Sequence, residues 1–158
     1  MRPGVRMAFD VGTVRTGVAR TDAGPVLAVP VVTLRPANDD DLVDQALDLI
    51  EEYEPIEIYV GFPRHLSGAA GASAKRARWF ARELAQCTSM AVRLIDERLS
   101  TVTAEAVLRD AGRASLHQRG VVDQVAATVL LDQALETERR TSSPAGELVR
   151  SRRKGQRT

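Results

Sequence analysis

Three carboxylates in this 158-residue chain stand where an acid is costly. Asp10 follows the apolar run Met7-Ala8-Phe9, Glu97 ends "VRLIDE", and Asp123 interrupts "VVDQVAATVLL". On a helix, Asp123, Ala126, Ala127 and Leu130 fall at i, i+3, i+4 and i+7, so the carboxylate shares the stripe that should pack against a sheet. An isolated carboxylate is not left in such a place unless it is paired or binds a metal. Three of them ask for a common partner, and the obvious one is a divalent cation. Oxygen ligands, a single cysteine (Cys87) and only two histidines suit Mg²⁺ or Mn²⁺ rather than zinc. Singly, each acid has an ordinary account. Asp10 could cap a strand-end turn, Glu97 could pair with Arg98 on the surface, and Asp123 could be a first-turn acid favoured by the helix dipole. Their joint placement, at the ends of two strands and near the start of the last helix, points to a shared ion.

The elements that must position them follow from hydrophobic period and turn chemistry. Val5–Phe9 and Gly17–Arg20 are expected as strands joined by a turn at Gly12-Thr13, and Val26–Leu34 as a third. Pro30 marks that third strand as an edge or a bulge. "DDDLVDQALDLIEEYE" has helical spacing, with its acids on a solvated face, and Pro55 ends it. "IEIYVGF" is a short buried strand, and "GAAGASAKRARWFARELAQ" opens as a loop and becomes a helix. "MAVRLIDE" is another strand, "STVTAEAVLRDAG" a helix with Ser100 as N-cap and Gly112 as stop, and "VVDQVAATVLLDQALETER" the final helix. Trp79 and Phe80 continue an amphipathic pattern and belong to the core, and Cys87 is expected as a small buried or half-buried helix residue. Strands first, then strand and helix alternating, describe an α/β layered domain with a mixed sheet.

A length of 158 residues suits one domain, and 44% hydrophobic with 27% charged residues are globular values. No apolar run is long enough for a membrane helix, and no signal-like segment opens the chain, so no membrane partner and a cytoplasmic address are expected. The net charge of +1 hides a division: residues 139–158 carry seven Lys and Arg against Glu147 alone, or +6, which leaves −5 for residues 1–138. Residues 139–158, "RRTSSPAGELVRSRRKGQRT", are expected to form a basic, disordered tail able to attract phosphates.

"FDVGTVRTGVA", "VGFP" with "SG" after it, "DERLST" with the following "AEAVLRDAG", and "DQVAATVLL" together resemble the four blocks of the YqgF (RuvX) family. This family is a branch of the RuvC-like, RNase H-fold nucleases, taken to process pre-16S ribosomal RNA or to resolve Holliday junctions. The blocks come in order and span about residues 5 to 138. The resemblance implies a single RNase H-like domain over residues 1–138, with a five-stranded mixed sheet flanked by helices. Its first and fourth strands and its last helix would bring Asp10, Glu97 and Asp123 together. Asp96, next to Glu97 on a strand, would face the other way.

The implied activity is that of a Mg²⁺- or Mn²⁺-dependent endonuclease acting on structured nucleic acid. Two cations about 4 Å apart would activate water for in-line attack and stabilise the leaving oxygen. No side-chain nucleophile is needed, in keeping with a sequence that has no convincing Ser/His/Asp arrangement. Gly12 and Gly17 permit a tight hairpin, with Thr13 and Arg15 as phosphate contacts. Arg64, Lys75, Arg78, Arg82 and Arg119 complete the candidate nucleic-acid contacts. Lys75, Arg78 and Arg82 lie at i, i+3 and i+7, near one helix face. The chain departs from the family at Arg64-His65, where an apolar residue and Asn are usual, and at "LHQRGVV", where Arg119 stands in place of a basic cluster.

Other readings stay open beside this one. The first hairpin also resembles the phosphate loop of actin-like and sugar-kinase ATPases, but those need a second domain for which this chain has no room. A non-catalytic RNA-binding ribosome-assembly factor could keep the same fold and acids. Junction resolution would call for a homodimer, whereas RNA trimming would not.

Overall fold

The computed structural model describes residues 1–63, 69–96 and 119–150. The elements run β1 (Arg6–Val11), β2 (Thr16–Arg20), β3 (Val29–Leu34), α1 (Asp39–Tyr53), β4 (Glu57–Phe62), α2 (Ala69–Cys87), β5 (Ala91–Asp96), α3 (Arg119–Thr141) and β6 (Glu147–Leu148). They form one sheet in the order β3-β2-β1-β4-β5-β6. β1, β4 and β5 are parallel, while β2, β3 and β6 join antiparallel. This is the mixed α/β sheet expected from the sequence, with one strand more than five. The helix expected at Ser100 to Gly112 lies outside the described residues.

Alternation along β1 assigns the two faces. Met7 and Phe9 belong to a core with Leu42, Ala46 and Ile50 of α1 and Ala77, Phe80 and Leu84 of α2. Ala8 belongs to a second core with Ala19, Tyr59 and Ile95 of the sheet and Ala127, Leu130, Leu131, Ala134 and Leu135 of α3. The sheet is therefore a middle layer, with α1 and α2 on one side and α3 on the other. The central strands are buried on both faces, which explains why β1 and β4 read as nearly unbroken apolar runs. Phe80 is fully buried, its ring centre 5.5 Å from that of Phe9 in an edge-to-face arrangement.

Local chemistry sets the element ends. Asn38 caps α1 by accepting from the Asp41 N–H, and Asp41 accepts in return from the Ala37 N–H, both at 2.8 Å. Glu54 closes the helix in the left-handed region at φ 49° just before Pro55. Pro30 lies on the edge strand beside a bulge, as its missing N–H requires.

Two expectations change. Residues 139–150 are not a free tail: α3 continues to Thr141, Glu147 and Leu148 pair with Leu94 and Arg93, and Ala145 and Val149 are buried. The apolar residues of "PAGELV" find an open edge on β5, which their small number hides in the composition. Residues 151–158 lie outside the described part. Cys87 is exposed rather than half-buried, as the last residue of α2, three positions beyond the buried Leu84.

Candidate active site

Asp10 and Asp123 are brought to one corner of the fold by a glycine. Asp10 lies in β1 opposite Gly17 of β2, and two-residue alternation from Ala8 puts it on the α3 face. Gly17 is buried, and a Cβ built there would collide with the backbone carbonyl of Asp123. No other residue lets the start of α3 press so closely on β2. The carboxylate that interrupts the apolar stripe of α3 thus stands over the strand pair that carries Asp10. Farther along the same helix, small residues continue the close fit, with Ala127 and Ala134 buried against Ala8 and Ala19.

The turn between β1 and β2 completes this corner. Its backbone is closed by the Gly12 N–H, which donates to the Arg15 carbonyl at 2.8 Å. Arg15 Nε–H then donates to Asp123 Oδ2 at 2.7 Å, with the two side chains 28% and 20% exposed. From the opposite face Arg76 of α2 reaches the same turn. Its Nε–H donates to the Gly12 carbonyl at 3.0 Å, its Nη1 pairs with Asp39 at 2.9 Å, and its guanidinium lies 5.4 Å from the Trp79 ring centre. Thr13 and Val14 are left exposed at the tip. Gln124, next to Asp123, donates to Thr33 Oγ1 at 3.0 Å and fastens α3 to β3.

Of the acids singled out from the sequence, Asp10 pairs across the strands with Gly17, and Asp123 lies against that glycine, while Glu97 lies outside the described residues. Asp96 alternates with Ile95 and so falls on the α1/α2 face, away from Asp10. Among the described residues no three His, Cys, Asp or Glu groups form a metal cluster. The donor type itself is suited to a hard cation: Asp10 and Asp123 are partly buried carboxylates, and Asp123 is paired with the Arg15 guanidinium.

The basic residues divide between two places. Arg15 is at the carboxylates, whereas Lys75, Arg78 and Arg82 line one groove of about 320 Å³ on α2, across the sheet from α3. Arg78 is partly committed there, pairing with Glu147 of β6 at 3.3 Å and lying 5.0 Å from the Phe62 ring centre. Lys75 and Arg82 are exposed. Arg64 lies outside the described residues, and Arg119 is the first residue of α3.

Sequence reasoning missed Arg76 as the clamp on the turn, because it lies one residue away from the stripe of Lys75, Arg78 and Arg82. It also missed a buried ion network at the opposite end of the sheet. Arg6 is fully buried and donates from Nη1 to Glu138 Oε1 at 3.0 Å, while Arg2 reaches both Glu138 and Glu57 at 2.7 Å. The Tyr59 hydroxyl and Arg93 Nε–H also donate to Glu57, each at 2.9 Å. Hydrogen bonds from Arg2 above all hold the Glu138 carboxyl down at about 2, and burial, then the Glu57 charge, pushes the Tyr59 hydroxyl up. The signal was available: Glu57 in "IEIYVGF" is as misplaced for an apolar strand as Asp10 is.

The chain resembles known proteins along nearly its whole length. It is 50% identical over 157 residues to a Thermobifida fusca protein named "Putative pre-16S rRNA nuclease", covering 94% of this chain and 98% of that one. A Streptomyces coelicolor protein of the same name is 48% identical over 151 residues, covering 94% and 90%. In three dimensions the chain is similar to Thermus thermophilus RuvC, solved in complex with a Holliday junction substrate. The TM-score is 0.60 with 13% identity over 92% of this chain and 99% of that one, a likeness of fold. The profile of the RuvX family, described as Holliday junction resolvases, matches residues 4–137. The family resemblance carried by the four sequence blocks is thus borne out, and the chain belongs to the RuvX family of nucleases.

Proposed function

We propose that this chain is a Mg²⁺- or Mn²⁺-dependent endonuclease that hydrolyses phosphodiester bonds in structured nucleic acid. The observation that supports this reading is the close approach of α3 to β2 at Gly17, which sets the Asp123 backbone against the strand pair that carries Asp10. Asp10, Asp123 and Glu97 would hold the ion. When bound, it supplies an activated water and charge stabilisation for the leaving oxygen. The chain's own part is to orient and to bind: the Gly12–Arg15 turn offers Thr13 and Arg15 to the phosphate, and Arg76 keeps that turn in place. Lys75 and Arg82, with Arg64 and Arg119, would follow the backbone farther from the cut.

The relatives' name supports pre-16S rRNA as substrate, and the family description supports a Holliday junction. Cleavage of junctions would require a homodimer for paired cuts. A second reading, a non-catalytic RNA-binding assembly factor, is favoured by one observation: Asp123 already has a cationic partner in Arg15. No helix among the described residues is long and apolar enough to cross a membrane, in keeping with a proposed cytoplasmic site of action.

The test is to incubate the purified chain with a labelled four-way DNA junction and a labelled rRNA precursor, each with Mg²⁺, Mn²⁺ or chelator. Metal-dependent cuts in one substrate identify both activity and partner. Binding without cleavage of either, under every ionic condition, would replace the nuclease reading with the binding factor.

A further inference from the structure

We propose that Arg15 stands in for the cation at Asp123 and gives the carboxylate up when a divalent ion arrives, its guanidinium then turning to the substrate phosphate. The inference rests on the reading of Asp123 as a metal ligand. Its basis is how differently Arg15 is held from the structural arginines. Arg2 uses its fork on two carboxylates and Arg6 is buried against Glu138 and the Arg2 carbonyl. Arg15 meets Asp123 through Nε alone, at 2.7 Å, with both side chains only partly exposed. A one-point, partly hydrated pair of this kind is worth little and exchanges readily.

The surroundings confine the exchange to a side chain. The Arg15 carbonyl is held by the Gly12 N–H, and the Gly12 carbonyl by Arg76, so the turn backbone is fixed from both ends. A divalent cation on Asp123 would repel the guanidinium, and among groups entering the site the anion is the phosphate. The same arginine would therefore satisfy Asp123 before the ion is bound and neutralise the substrate afterwards. It would also couple the two binding events, since each favours the same side-chain position.

The measurement is calorimetric titration of Mn²⁺ into the full-length protein and into Arg15→Met, Arg20→Met and Asp123→Asn. Arg15→Met should bind Mn²⁺ about fivefold tighter, the value of one partly exposed ion pair. Arg20→Met removes a charge that is engaged with Asp22 rather than Asp123, and should change the affinity much less. Unchanged Mn²⁺ affinity in Arg15→Met, with weakened binding in Asp123→Asn, overturns the exchange and leaves the metal site standing. Unchanged affinity in Asp123→Asn overturns the metal-ligand reading itself. The wild type gives a test free of substitutions: the Arg15 Nε–H resonance should move to the position of an unpaired guanidinium on adding Mg²⁺, and again on adding inorganic phosphate. A resonance indifferent to Mg²⁺ contradicts release, and one that moves with Mg²⁺ but ignores phosphate contradicts the second half.

Discussion

Glu57 and Asp123 are both acids in apolar settings, and they are satisfied in opposite ways. Glu57 is buried and takes hydrogen bonds from Arg2, Arg93 and Tyr59, so its charge is spent on structure. Asp123 is half-open and takes one from Arg15, so a cation can still reach it. The difference separates a structural carboxylate from a candidate ligand more cleanly than its position in a strand or helix does. Gly17 is the residue on which this corner depends. Gly17→Ala should push α3 away from β2, lower stability by about 1 to 3 kcal/mol as overpacking does, and abolish cleavage even where the chain remains folded. Thermal unfolding and activity measured on the same preparation check it.

At the scale of elements, α3 is a beam fastened at both ends, by Asp123 and Gln124 at one and by Glu138 at the other. Glu138→Gln leaves Arg6 buried with a weakened partner and should cost about 3 kcal/mol, read from denaturant unfolding. The pH dependence has a definite sign. The folded carboxyl is held at about 2 against an ordinary 4.5, so its stabilisation is complete above the ordinary value and is lost as pH falls through about 2. The wild type should therefore lose more stability than Glu138→Gln between these limits. The strand β6 alters how the basic tail must be tested. Removing residues 142–158 takes away β6 and the buried Ala145 and Val149, and should destabilise the domain. Removing residues 151–158 spares them. That shorter deletion should leave unfolding unchanged and reduce the slope of log affinity against log salt by up to about 3, the share of four cations.

For the whole molecule, the layers were legible because period two and period 3.6 were each clear: β1, β4, β5 and the three helices α1, α2 and α3 were placed from pattern alone. Asp10 and Asp123 could be singled out because an acid breaks an apolar pattern visibly. What pattern could not show was pairing over long sequence distances. Arg76 to Gly12, Arg6 to Glu138 and Arg15 to Asp123 are each made by the topology, which brings ends of different strands and helices together. The same limit hid β6, where a two-residue strand has too few residues to carry a period. The resulting molecule has its carboxylates on the α3 side and the groove of Lys75 and Arg82 on the α2 side, so a substrate touching both would have to wrap the sheet end at the Gly12–Arg15 turn.

The most direct test of that arrangement is the cleavage rate of Asp10→Asn and Asp123→Asn on the substrate the wild type cuts, with binding and thermal unfolding measured alongside. Both variants should stay folded and bind nucleic acid, and each should cut at least about a thousandfold more slowly, the scale at which loss of an electrostatic catalytic group is felt. Cleavage at the wild-type rate in either variant would contradict an active site built on these two carboxylates.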